Sequence, residues 1–100
     1  MITVEPTEDM TLVNYIIKSD DIWERAADEG IKKDDFAPSC NNMCRWLLCK
    51  QKDKNIGVIL VHVDNSFSIK IHPYLYNKFR FLGREVMNKL YEWFLSLPRS

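Results

Sequence analysis

The stretch CRWLLCKQKDKNIGVILVHV, residues 44–63, decides the fold. Cys44 to Lys50 and Ile56 to Val63 are dense in apolar and β-branched side chains, which suit a pleated, buried surface. Between them Gln51-Lys52-Asp53-Lys54-Asn55 is wholly polar and reads as a turn, so the two runs are expected to pair as a hairpin. Towards the C-terminus, Asp64-Asn65-Ser66 offers a second tight turn, after which Phe67, Ile69 and Ile71 alternate with Ser68, Lys70 and His72. That period gives a strand with one buried face. Pro73, which lacks a backbone donor, is expected to stop it.

After an aromatic-rich connection, Val86, Met87, Leu90, Tyr91, Phe94 and Leu97 recur at helical spacing, and Pro98 closes that helix. Towards the N-terminus, residues 31–42 mix charge, Pro38, Ser39 and paired asparagines and read as a surface loop. Asp21 lies three residues before Glu24, the spacing of a capping box, and a helix through Ile22, Trp23, Ala26 and Ala27 can end at Gly30. A break near Ser19 to Asp21 separates it from an earlier helix bearing Met10, Val13, Ile16 and Ile17, with Thr7 as its expected cap. Ile2 and Val4 alternate with Thr3 and Glu5 in a brief first strand that Pro6 should end. The order strand, helix, helix, three strands, helix predicts an α+β fold: an antiparallel sheet of about four strands with helices packed on it.

One hundred residues, 46% apolar and 28% charged, fit a single domain over residues 1–100 with one modest core. Fourteen basic and fourteen acidic side chains cancel, so no long-range field draws in nucleic acid or an anionic membrane. The opening residues lack a basic-then-apolar signal, and no apolar run nears the ~20 residues of a membrane span. A cytoplasmic protein is expected. Cys40, Cys44 and Cys49 are odd in number and bunched, which suits a reducing compartment better than a disulfide framework. They also lack zinc-knuckle spacing, and the strand period sends Cys44 and Cys49 to opposite faces, so no metal site is expected.

Four landmarks resemble the GNAT superfamily of acetyl-CoA-dependent N-acetyltransferases: Ile2-Thr3-Val4-Glu5-Pro6-Thr7-Glu8-Asp9, Asn55-Ile56-Gly57-Val58-Ile59, Ile69-Lys70-Ile71-His72-Pro73 and Gly83-Arg84-Glu85-Val86-Met87. They look like the family's first strand and acidic helix cap, its third and fourth strands, and the start of its cofactor-facing helix. The resemblance implies a truncated GNAT-like fold, because the family continues past the equivalent of Ser100 through a fifth strand and a fourth helix. It also implies a loop, Gln/Arg-x-x-Gly-x-Gly/Ala, whose amides receive the cofactor's pyrophosphate at the positive end of the helix. Here that loop aligns with Lys78-Phe79-Arg80-Phe81-Leu82-Gly83. Phe81 stands where a glycine lets phosphate approach the backbone, and its ring is expected to block or reshape the site. An alternative register from Arg80 to Glu85 puts a carboxylate beside the phosphates. Phe79-Arg80-Phe81 is similar to the aromatic, basic segment of small tailed-phage virion and head-assembly proteins with GNAT-like domains.

The residues that carry chemistry are few. Lys78, Arg80, Gly83 and Arg84 are the cofactor-binding candidates, should acetyl-CoA bind, and the same cations among Tyr74, Tyr76, Phe79 and Phe81 could grip a nucleic-acid phosphate. The plain alternative is that the rings cover the core while the cations face water. His72 is the one candidate general base, since imidazole titrates near neutrality, although a histidine at a strand end is more often structural. His62 has no partner visible in the sequence. The leading expectation is a non-catalytic GNAT-like phage protein without a resident cofactor, acting through a protein partner or through self-association as a homodimer across the open strand Phe67 to His72. An acyl-CoA-dependent N-acyltransferase completed by another chain is the alternative, and nucleic-acid or anion binding through Lys78, Arg80 and Arg84 is a further one.

Overall fold

Strand β2 (Cys44–Gln51) and strand β3 (Lys54–Asn65) form the expected hairpin, joined through Lys52 and Asp53 alone. Lys52 takes φ of 55°, the left-handed conformation that so short a turn demands. The computed structural model describes residues 1–26, 32–65 and 68–97. Strand β1 (Ile2–Thr7) pairs with β2, and strand β4 (Ser68–Leu75) pairs with β3, giving an antiparallel sheet in the order β1-β2-β3-β4. Helices α1 (Met10–Ile17), α2 (Asp20–Ala26) and α3 (Gly83–Ser96) complete the described elements, with 3-10 turns at Lys33–Asp35 and Asn77–Leu82. The fold is α+β, as the order of the sequence signals predicts.

The centre of the sheet, β2 and β3, is covered on both faces, which is why these two strands read as near-continuous apolar runs. On one face Ile2, Val4, Leu47, Cys49, Ile59 and Val61 pack with Val86 and Leu90 of α3. On the other Trp46 and Val58 pack with Val13, Ile16 and Ile17 of α1 and Ile22 of α2. Each of the Val, Leu and Ile side chains among these contributes about 1.5–3 kcal/mol by leaving water. A bulge carries Ile56 as an extra residue opposite Cys49 and Lys50, and so turns it into the α3-side core against the strict alternation. Gly57 lies opposite Leu75, and a β-carbon there would stand 2.8 Å from Leu75 Cα, so the close approach of β3 to β4 requires glycine.

Several sequence expectations need correction. Neither Pro6 nor Pro73 ends its strand: β1 continues to Thr7 and β4 to Leu75. Both are edge strands, where a missing N–H can face solvent instead of breaking the ladder. The cap of α1 is Asp9, whose Oδ1 accepts from Leu12 N at 3.1 Å, while Thr7 Oγ1 accepts from Asp9 N at 3.1 Å. Of the apolar stripe, Val86 and Leu90 are buried and Met87 and Phe94 pack part-buried against the same core, whereas Tyr91 and the C-cap Leu97 are exposed. The break between α1 and α2, by contrast, falls close to the expected place, at Lys18 and Ser19, with Ser19 O accepting from Ile22 N and Trp23 N. Ala27, Gly30, Ser66, Phe67 and Pro98, which figured in the expected boundaries, lie outside the described residues.

Candidate functional site

The cofactor-loop candidate is built from β4, the 3-10 helix Asn77–Leu82 and the start of α3. No glycine loosens residues 77–82, and the segment closes into successive tight turns: Phe79 N donates to Tyr76 O at 2.8 Å, and Gly83 N donates to Arg80 O. Gly83 has φ −54° and ψ −41°, so its backbone is ordinary right-handed helix and needs no glycine. Its amide, which the family pattern would aim at phosphate, is committed to Arg80. Glu85 adds a carboxylate to the first turn of α3, where an incoming anion would meet it.

A pocket of about 250 Å³ lies beside this helix start, lined by Arg25, Pro73, Leu75, Arg80, Gly83, Val86 and Met87. Two of the four sequence candidates, Arg80 and Gly83, therefore meet. Lys78 lies elsewhere, its Nζ 5.2 Å from the centroid of the Phe79 ring, in a separate hollow with Lys54 and Tyr76. Arg84 is exposed and does not line the pocket. Phe81 is 79% exposed and also stays out of it, so the ring does not plug the pocket.

Arg25 is the residue sequence reasoning missed. It reaches from α2 around the sheet edge, donating to Leu75 O and pairing with Asp21 Oδ1 at 3.2 Å. Asp21 Oδ2 in turn accepts from Asn77 N at 2.8 Å. The Asp21–Arg25 spacing of four on a helix was a visible signal, but its partner fifty residues away was not. The arrangement holds Arg25 as a clamp on the β4 corner rather than as a free anion receptor.

His72 shares its face of β4 with Lys70 and Tyr74, and stacks on Tyr74 with ring centroids 6.4 Å apart. Pro73 and Leu75, which line the pocket, belong to the opposite face, so the candidate base and the candidate cofactor pocket are separated by the sheet. His62 does have a partner: its Nδ1 lies 2.9 Å from Asp64 Oδ1, and Lys70 Nζ lies 3.5 Å from Asp64 Oδ2. Asp64 is the extra residue of a second bulge, between Val63 and Asn65. Among the described residues no three of His, Cys, Asp and Glu converge as metal ligands. Cys49 is wholly buried, and burial pushes its thiol up to about 12, while Cys40 is exposed.

The other notable surface is apolar. Ile69 is 52% exposed and Pro73 is exposed, because α3 lies over β1 and leaves this strip of the β4 face open. Among the described residues no helix is long and apolar enough to cross a membrane. Compared with known proteins, the chain matches no family model, no curated protein and no solved structure.

Proposed function

We propose that this chain is a non-catalytic, GNAT-like phage protein that acts through protein contacts in virion structure or assembly, in the host cytoplasm or the virion itself. The observation that carries the reading is β4, an edge strand whose apolar face is part-exposed at Ile69 and Pro73 while its one imidazole, His72, faces away from the pocket. Exposed strand edges with apolar flanks are sites of pairing with another chain. The phage setting draws its support from the resemblance of Phe79-Arg80-Phe81 and its neighbours to the aromatic, basic segment of small tailed-phage proteins.

One observation favours the acyl-CoA-dependent alternative: the pocket at the start of α3 gathers Arg80 and Gly83, two of the four cofactor-binding candidates. Calorimetry with acetyl-CoA separates the two. No binding at millimolar cofactor is expected. Micromolar affinity that disappears in Gly83→Glu would overturn the proposal in favour of an acyltransferase completed by another chain.

A further inference from the structure

We infer that copies of this chain associate head to tail, β1 of one copy adding as a strand to β4 of the next; this rests on the reading that the protein works through protein contacts. The backbone sets the rule. In an antiparallel strand alternate residues turn both N–H and C=O to the same side. Tyr76 N donates to Ile56 O of β3, whereas Leu75 O, one residue earlier, accepts from Arg25 beyond the edge. Ile69, Ile71 and Pro73 therefore share the outward set with Leu75. At the other edge Met1 O accepts from Lys52 N at the β2–β3 turn, which leaves Ile2, Val4 and Pro6 as the outward set of β1.

The two sets match in one register. Placing Val4 opposite Ile71 aligns β1 from Ile2 to Thr7 with β4 from Ser68 to Pro73, stopping where Arg25 caps Leu75. Val4 and Ile71 exchange both bonds, and at each end a proline carbonyl accepts from the isoleucine facing it. Strand direction agrees as well. With the order β1-β2-β3-β4 all antiparallel, a following β1 runs antiparallel to β4 and keeps the same face of the sheet towards α3.

Charge favours this pairing over a symmetric β4–β4 pair. Ile2 and Val4 lie on the α3 side, so Glu5 lies on the other, as do Lys70 and His72. In the register above, Glu5 of one copy stands directly opposite Lys70 of the next. Both are exposed, and Lys70, whose only ion pair among the described residues is the 3.5 Å contact to Asp64, has donors to spare. A symmetric β4–β4 pair centred on Ile71 would instead set Lys70 against His72 with no acid opposite. Because α3 lies over β1, the incoming copy also brings its α3 up to the open strip at Ile69 and Pro73. A contact between unlike edges is heterologous, so repetition gives a ring or a filament, not a closed dimer.

Sedimentation velocity over a concentration series tests this. The wild-type chain should form species larger than a dimer. Glu5→Lys and Lys70→Glu should each weaken association roughly tenfold, by setting like charges opposite one another. An equimolar mixture of the two variants should regain it, because every contact then pairs opposite charges. Unchanged thermal unfolding of each variant establishes that the fold is intact. A strict monomer at every concentration, or association indifferent to Glu5→Lys, overturns the head-to-tail pairing; the latter outcome with sensitivity to Lys70→Glu signifies a symmetric β4 dimer. Neither result bears on acetyl-CoA, whose micromolar binding would defeat the parent reading separately.

Discussion

Gly57 sits where β3 passes closest to β4, and a methyl group added there would drive into Tyr74 O and Leu75 Cα. These are backbone atoms and cannot swing away. Gly57→Ala should therefore destabilise the protein by about 1–3 kcal/mol, the usual cost of overpacking. Gly83 is its counterpart: a β-carbon there meets nothing within 4 Å, and the backbone is already helical. Gly83→Ala should stabilise by roughly 0.5–1 kcal/mol, through the lower flexibility of the unfolded chain and the better helix propensity of alanine. Urea midpoints of the two variants, moving in opposite directions at constant slope, would bear this out. Both glycines stand out in the sequence as landmarks, yet only the strand pairing reveals that one is required and the other replaceable. Cys44 and Cys49 were legible outright, since a period of two fixes their opposite faces.

At the scale of elements, the hairpin, the flanking helices and their order could be read from periodicity, whereas the strand ends could not. A proline stops a central strand but is tolerated at an edge, and the residues around Pro6 and Pro73 do not say which strands are edges. The candidate site was legible only in part for a related reason. Arg80 and Gly83 are near neighbours in the chain and stayed together, but Arg25 joins them only because α2 packs on β4. That junction makes its own prediction. Arg25→Ala removes the donor to Leu75 O, and Asp21→Ala removes the acceptor for Asn77 N; each should cost about 1 kcal/mol. The two residues also pair with each other, so the double variant should lose less than the sum, by about 0.5 kcal/mol or more. Strict additivity in the denaturation cycle would mean that the clamp does not act as a unit.

Across the whole molecule, cover on both faces at the centre of the sheet leaves Cys49 in β2 with no exposed surface. In the folded state its thiol is pushed from the ordinary 9.0 up to about 12, with burial as the cause. The unfolded chain ionises this thiol as pH rises through 9, while the folded chain holds the proton. Over that interval the folded state binds more protons than the unfolded one, so stability must fall with rising pH. It is fully present below pH 9 and declines by at most about 1.4 kcal/mol per pH unit until the folded thiol itself titrates. Tyr76 acts in the same direction at higher pH, its phenol raised first by burial and further by Tyr15 and Asp21, against a lowering hydrogen bond with Ser19. The two contributions separate by substitution. Cys49→Val removes the thiol while keeping an apolar side chain in the α3-side core, and Tyr76→Phe removes the phenol. Chemical denaturation from pH 7 to 11 should show a wild-type decline that begins near pH 9. In Cys49→Val the decline should be delayed and shallower, and in the double variant shallower still. A Cys49→Val curve parallel to wild type would show that the thiol is not held protonated by the fold.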